Sequence, residues 1–163
     1  MDIVAFFQQH FPVIRAKCAR ILGNGADAAD IAQEAFLRLC TSPVAHEPAA
    51  ARLKWIYVTG TRLCIDHVRR RRLGVEISSE TAGPAGEPAG TTAAPDEAIA
   101  ARQALEQLAG ALSPEDLSIL VMTRSDRMTQ DEVAALLDIS SRQVRRVIER
   151  ADAKLAVLAA QLG

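Results

Sequence analysis

Apolar residues recur along this chain at the three- and four-residue spacing of helices, and nowhere alternate long enough for a strand. Residues 3–22 carry Ile3, Phe6, Phe7, Ile14, Cys18, Ile21 and Leu22, and Gly23-Asn24-Gly25 ends the run. A second helix is expected over 28–41, with Asp27 as its N-cap and Asp30 three residues on. Ala32, Ala35, Phe36 and Leu39 share one face of it, while Asp30, Gln33, Glu34 and Leu37 share another. A third segment, 49–72, carries Leu53, Ile56, Gly60, Leu63, Cys64 and His67 on one stripe, and ends in four arginines, Arg69 to Arg72. Gly60 weakens that helix or lets another group approach it closely.

Further along, "PDEAIAARQALEQLAGAL" reads as a helix with an acidic first turn. Ser113 as N-cap, Pro114 at the first helical position and Asp116 announce the next. Two capping boxes follow, Thr129 with Glu132 and Ser140 with Gln143. Val133, Ala134 and Leu137 point inward from the first of these helices, and Val144, Val147 and Ile148 line the second. Asp138 sits between them where a left-handed residue is expected, a place Gly fills more easily, and Ile139 plugs the corner. This is the pattern of a helix-turn-helix. Its second helix turns Ser141, Arg142, Arg145, Arg146 and Arg150 away from the apolar stripe. Arginines so placed can pair with guanine edges or hold phosphates. An Arg-rich face is also common on ordinary solvated helices; the two capping boxes and the corner favour DNA.

Residues 74–95, "GVEISSETAGPAGEPAGTTAAP", hold four Gly and three Pro and few bulky apolar side chains. Such a segment buries too little surface to offset its ordering entropy. The expected architecture is therefore all-α: two small helical domains, 1–73 and 96–163, joined by a flexible linker over 74–95.

Charge sharpens the picture. The 163-residue chain has a formal net charge of only −1. Residues 1–73 nevertheless hold eleven Lys/Arg against six Asp/Glu, and 74–101 hold five acids and no base. A near-neutral chain thus carries a basic lobe, and the local field decides what a polyanion meets. The arginine run alone has a plain explanation, since cations at a helix C-terminus gain ~0.3–1 kcal/mol each from the dipole.

Other chemistry is sparse. Cys18, Cys40 and Cys64 lie far apart in apolar helical patterns and read as reduced core residues of a cytoplasmic protein. No Cys or His pair has metal-ligand spacing, so neither a metal nor another cofactor is expected. No window reaches the ~18 apolar residues of a membrane span. His10, His46 and His67 are scattered, no nucleophile sits with a base, and no phosphate-cradling Gly loop occurs, which argues against an enzyme. His67 lies on an apolar stripe and reads as a core histidine.

Three stretches, in order, resemble the sigma-70 family of transcription initiation factors. "DAADIAQEAFLRLC" (27–40) resembles its regions 2.1–2.2, with the pattern D-x-x-Q-E-x-F-L-R-L. "WIYVTGTRLCIDHVRRRR" (55–72) resembles regions 2.3–2.4 of the extracytoplasmic-function (ECF) group. "LSPEDLSILVM" and "MTQDEVAALLDISSRQVRRVIERADAKL", within 112–155, resemble region 4. Within the group, Arg62 two residues after Gly60 and the "VRR" of the last helix look most like the iron-citrate-regulator type.

The resemblance implies partners and sites. Asp30, Gln33, Glu34 and Arg38, with exposed Leu37 among them, would dock on the β′ clamp helices of core RNA polymerase, which the family also engages through the β subunit. Lys54, Tyr57, Thr61, Arg62, Arg69, Arg70 and Arg72 would meet the minus-ten element, where the duplex melts and a base is captured. Arg69 continues the face of Arg62; Arg70 and Arg72 would meet phosphates; Trp55 reads as core; the base pocket would lie in 42–52. Ser141, Arg142, Gln143, Arg145, Arg146 and Arg150 would bind the minus-thirty-five duplex. The acidic linker would mimic nucleic acid inside polymerase, and an anti-sigma protein is a partner many members have. The chain departs from the family at Asp138, often Gly; at Arg142-Gln143, often Gly-Thr; and at "TRSDRMT" (123–129), usually a more hydrophobic turn.

Two functions of different class remain: an ECF-type sigma factor, or a stand-alone helix-turn-helix regulator that binds duplex DNA without polymerase. The second requires a dimerising or sensing N-terminal lobe, which should offer a larger apolar patch than the polar stripe of 28–41.

Overall fold

A computed structural model describes residues 2–73 and 95–162, and these form helices throughout. The chain runs α1 (Ile3–Leu22), α2 (Gly25–Thr41), a 3-10 turn (Pro43–His46), α3 (Ala49–Arg72), α4 (Pro95–Ala109), α5 (Pro114–Arg124), α6 (Gln130–Leu137) and α7 (Ser141–Leu162). The expected linker, apart from Pro95 at the start of α4, lies outside the described residues.

Helix ends follow local chemistry. Gly23 takes the left-handed conformation (φ 66°) after α1, and its N–H donates to the Ala19 carbonyl. α2 starts earlier than the sequence pattern suggested, because Asn24 is its N-cap and accepts from the Ala26 and Asp27 amides. Asp27 is thereby left to face His67, 3.3 Å away on α3. His67 is half-buried against that carboxylate, not a core histidine. Ser113 accepts from the Asp116 amide, and both expected capping boxes form. Asp138 adopts the left-handed conformation (φ 55°, ψ 44°) between α6 and α7.

α1, α2 and α3 pack around Phe6, Ile14, Cys18, Leu22, Phe36, Leu39 and Ile56, all buried. Phe7 and Phe11 stack beside Phe36, whose ring lies 4.9 Å from that of Phe7. α3 contributes Arg52, Ile56, Gly60, Thr61, Cys64, Ile65 and Val68 to the interior. Leu53, read as part of the apolar stripe, is instead 38% exposed. Cys18 and Cys64 are buried as expected, and the hydrogen bond to Cys18 together with burial pushes the Cys64 thiol far up. Cys40 is exposed, contrary to its reading as a core residue, because it lies just past the sealed face of α2.

The two helical groups do not stand apart. Leu108, Leu112, Leu117, Leu120, Val121 and Ala151, from α4, α5, α7 and the α4–α5 turn, join the core of α1–α3. A smaller cluster of Ile119, Met122, Val133, Ala134, Val144 and Val147 holds the helix-turn-helix together, and Tyr57 and Val58 of α3 pack into it. α3 is therefore covered from both sides.

Phe36→Ala should lower unfolding free energy by about 3–5 kcal/mol, the usual range for emptying an aromatic core site. Urea titration followed by far-UV circular dichroism measures it.

Candidate nucleic-acid interface

Three surfaces hold the residues singled out by sequence. The first is the outer face of α2. Ala28, Ala32, Ala35, Phe36 and Leu39 are sealed inward, so Asp30, Gln33, Glu34, Leu37 and Arg38 face out. Leu37 is 64% exposed among these polar neighbours. Arg38 Nε donates to Glu34 Oε1 at 2.7 Å.

The second surface is α3. Arg62 is exposed, and with Lys54 and Trp55 it lines a groove of about 350 Å³ that Val44, Glu47 and Leu137 also border. Val44, Glu47 and Ala51 on its wall belong to the 42–52 segment where a base pocket was expected. Trp55 is only half-buried, packing on the core with one side and lining the groove with another. Arg69 is half-buried, and Arg70 pairs with Asp66 at 2.8 Å. The Arg72 guanidinium lies across Gly110: a Cβ there would stand 1.1 Å from its nitrogen, so a side chain at 110 would make the exposed Arg72 swing aside. Thr61 is fully buried and donates to the Tyr57 carbonyl within the helix, so it offers no side chain to DNA.

The third surface is the start of α7. Arg142, Arg145 and Arg146 are exposed, and none forms an ion pair with a described residue. Their direction is fixed by the cap: Gln143 Oε1 accepts from the Ser140 amide, and Ser140 Oγ accepts from the Gln143 amide. Ser141 donates to Asp131. Arg150 is drawn instead to α5, with Nη2 2.9 Å from Asp116, which takes it away from the other arginines.

Between the second and third surfaces lies a cluster the sequence reading did not find. The turn after α5 puts Arg127 in the left-handed region (φ 55°), with the Asp126 amide donating to the Val121 carbonyl and the Met128 amide to that of Met122. Asp126 thereby points at the first helical group, its side chain 4% exposed. Its carboxylate accepts from Lys17 of α1 and from the Tyr57 hydroxyl of α3, and from Arg20 Nη2 at 3.2 Å. Lys17 is 1% exposed and its ammonium lies 4.0 Å from the Tyr57 ring centre. Burial pulls the Lys17 pKa below its ordinary value, and Asp126 opposes that pull. Burial, then the bond to Asp126, pushes the Tyr57 hydroxyl well above its ordinary value. Nearby, Lys54 Nζ donates to Asp138 Oδ2 at 3.3 Å. One signal was visible: Lys17 falls three residues after Ile14 and four before Ile21, on the apolar stripe.

Among the described residues no group of His, Cys, Asp and Glu could hold a metal ion, and no helix is long and apolar enough to cross a membrane.

Residues 6–73 match the family model for sigma-70 region 2, and residues 103–156 match that for sigma-70 region 4. The chain is 26% identical over 157 residues to the ECF RNA polymerase sigma factor SigW of Bacillus subtilis, covering 91% of this chain and 82% of that one. It is 28% identical over 159 residues to the RNA polymerase sigma factor CarQ of Myxococcus xanthus, covering 96% and 88%. Against the RNA polymerase sigma factor CnrH of Cupriavidus metallidurans it is 30% identical over 154 residues, covering 90% and 81%.

Tyr57 is the chain's single tyrosine, so ultraviolet absorbance at alkaline pH reports it alone. A pKa raised in the folded state means that the interaction is intact below the unfolded value of about 10 and is lost as pH rises beyond it. The native chain should show no tyrosinate step near pH 10, and Asp126→Asn should move the step down toward that value.

Proposed function

The chain belongs to the ECF group of the sigma-70 family, and we propose on that premise how its surfaces divide the work of initiation. It is an RNA polymerase-binding sigma factor; a stand-alone regulator is not favoured. The observation that carries the division is the outer face of α2, where Leu37 stands 64% exposed inside a polar stripe while the opposite face is closed in core. A small apolar centre with a charged rim suits docking on another protein. We assign Asp30, Gln33, Glu34, Leu37 and Arg38 to the β′ clamp helices, with the β subunit as a further contact.

Residues 1–73 act as the region 2 domain, 74–95 as the acidic linker and 96–163 as the region 4 domain. Lys54, Tyr57, Arg62, Arg69, Arg70 and Arg72 serve the minus-ten element, where cations follow the backbone and the half-buried Trp55 together with the 42–52 segment receives an unstacked base. Thr61 positions Tyr57 from behind. Ser141, Arg142, Gln143, Arg145 and Arg146 serve the minus-thirty-five duplex, in which arginines read guanine edges or hold phosphates. Arg150 braces α7 against α5 through Asp116. The chain acts without catalysis of its own, in the cytoplasm and on the nucleoid, and an anti-sigma protein is the partner class that would restrain it. Placement with the iron-citrate-regulator type rests on Arg62 and on Val144-Arg145-Arg146 alone.

Reconstitution with core polymerase and genomic fragments, followed by start-site mapping, tests the reading as a whole; absence of any directed initiation would return it to a polymerase-independent regulator. Charge reversal at Asp30 and Glu34 should abolish co-purification with core polymerase and leave the helical circular dichroism unchanged. Unaltered co-purification would remove α2 as the docking face. Replacing Arg145 and Arg146 with Ala should weaken promoter duplex binding by roughly 1–3 kcal/mol for each guanine edge that an arginine no longer pairs with. An equal loss on every duplex sequence in a gel-shift series would show that these arginines hold phosphates only.

A further inference from the structure

The surfaces assigned to the two promoter elements lie against one another. Lys54 of the minus-ten surface is 3.3 Å from Asp138, in the turn that leads into the recognition helix. Tyr57 is engaged by Asp126 of region 4 and packs with Val58 into the helix-turn-helix core. Arg72 lies across Gly110, in the turn that follows α4. The two promoter elements, minus ten and minus thirty-five, are centred about 25 base pairs apart, which at ~3.4 Å per pair is roughly 85 Å of duplex. A chain in this arrangement cannot occupy both.

The contact is also built as a specific one. Lys17 is 1% exposed and the Asp126 carboxyl 4% exposed, and each is a charge that would be costly to bury without the other. Their pairing comes from opposite halves of the sequence. Tyr57 completes the cluster from the helix assigned to the melted strand.

We propose that the free chain is self-closed, with Asp126 as the catch that holds region 4 over the minus-ten face of α3, so that single-stranded DNA and region 4 compete for that face. The proposal rests on the sigma-factor reading for the identity of the DNA-binding face. Closure keeps the free factor from promoter DNA. Separation of the domains on polymerase removes Asp126 and Asp138 from Tyr57 and Lys54 and returns both side chains to the strand they serve.

Two variants of the full chain test this. Asp126→Asn removes the charge that three donors share. Arg20→Glu puts a second negative charge beside Asp126 from an exposed position, where folding is not at risk. Small-angle scattering of the wild-type chain should give a radius of gyration near the ~15 Å of a compact chain of this length. Both variants should expand by several ångströms with helical content unchanged. Both should bind a short fluorescein-labelled single-stranded DNA of mixed sequence more tightly than wild type, by about 5-fold or more in fluorescence anisotropy. Wild type already extended, or folded variants no larger than wild type, would overturn the catch. Expansion without any gain in DNA affinity would overturn the masking. Co-purification of the wild-type chain with core polymerase tests the sigma reading separately, since neither scattering nor anisotropy involves polymerase.

Discussion

A single carboxylate, that of Asp126, allows two helical groups to share one boundary. Lys17 lies deep between α1 and α3, and an unpaired ammonium there would lose most of its hydration with nothing in return. Asp126 reaches it from the other half of the chain and also accepts from Tyr57 and Arg20, so both of its oxygens are used. Replacing such a pair with apolar side chains often leaves a protein as stable or more so, whereas removing one member costs several kcal/mol. The cluster is thus better understood as a device for registration than for stability. It makes one docking of the two groups acceptable and leaves a buried charge in any other.

The helix that receives this docking is the one assigned to melted DNA. α3 is long and carries both residue types that a single strand needs, cations for phosphates and aromatics for bases. The same properties suit it to an acidic, half-apolar partner within its own chain. Lys54 donates to Asp138 as it would to a phosphate, and Tyr57 gives its hydroxyl proton to a carboxylate and its ring to the helix-turn-helix core. On the proposed assignment, the acidic residues of region 4 at this boundary stand where nucleic acid would supply the charge.

Much of this was legible in the sequence, for local reasons. The spans of α1 and α3, both capping boxes and the left-handed Asp138 follow from periodicity and from side chains acting on neighbouring backbone. So do the sealed and open faces of α2. What escaped was non-local. Thr61, which the resemblance assigned to DNA, is buried, and Arg150, exposed as expected, is paired with Asp116 of another helix. Leu53, read as part of the apolar stripe, is 38% exposed, while its neighbour Arg52 is buried over the Phe6 ring. "TRSDRMT" stood out as less hydrophobic than its counterpart in the family, yet its purpose emerges only when Lys17, more than a hundred residues away, is seen opposite.

Asp138 joins two demands that act on different scales. As a left-handed residue it holds a conformation that costs a side-chain-bearing residue roughly 1 kcal/mol and a glycine almost nothing. As a carboxylate it meets Lys54 across the boundary, in an exposed pair worth ~0.2–1 kcal/mol. Glycine at this position would relax the turn and dissolve the pair, with effects of similar size and opposite sign. Melting temperature would scarcely register the exchange, although the balance between open and closed chains would have moved. The turn of the helix-turn-helix is therefore a place where thermal stability and molecular shape are uncoupled, and where a variant that looks silent by calorimetry can still change how much of the factor is ready for polymerase.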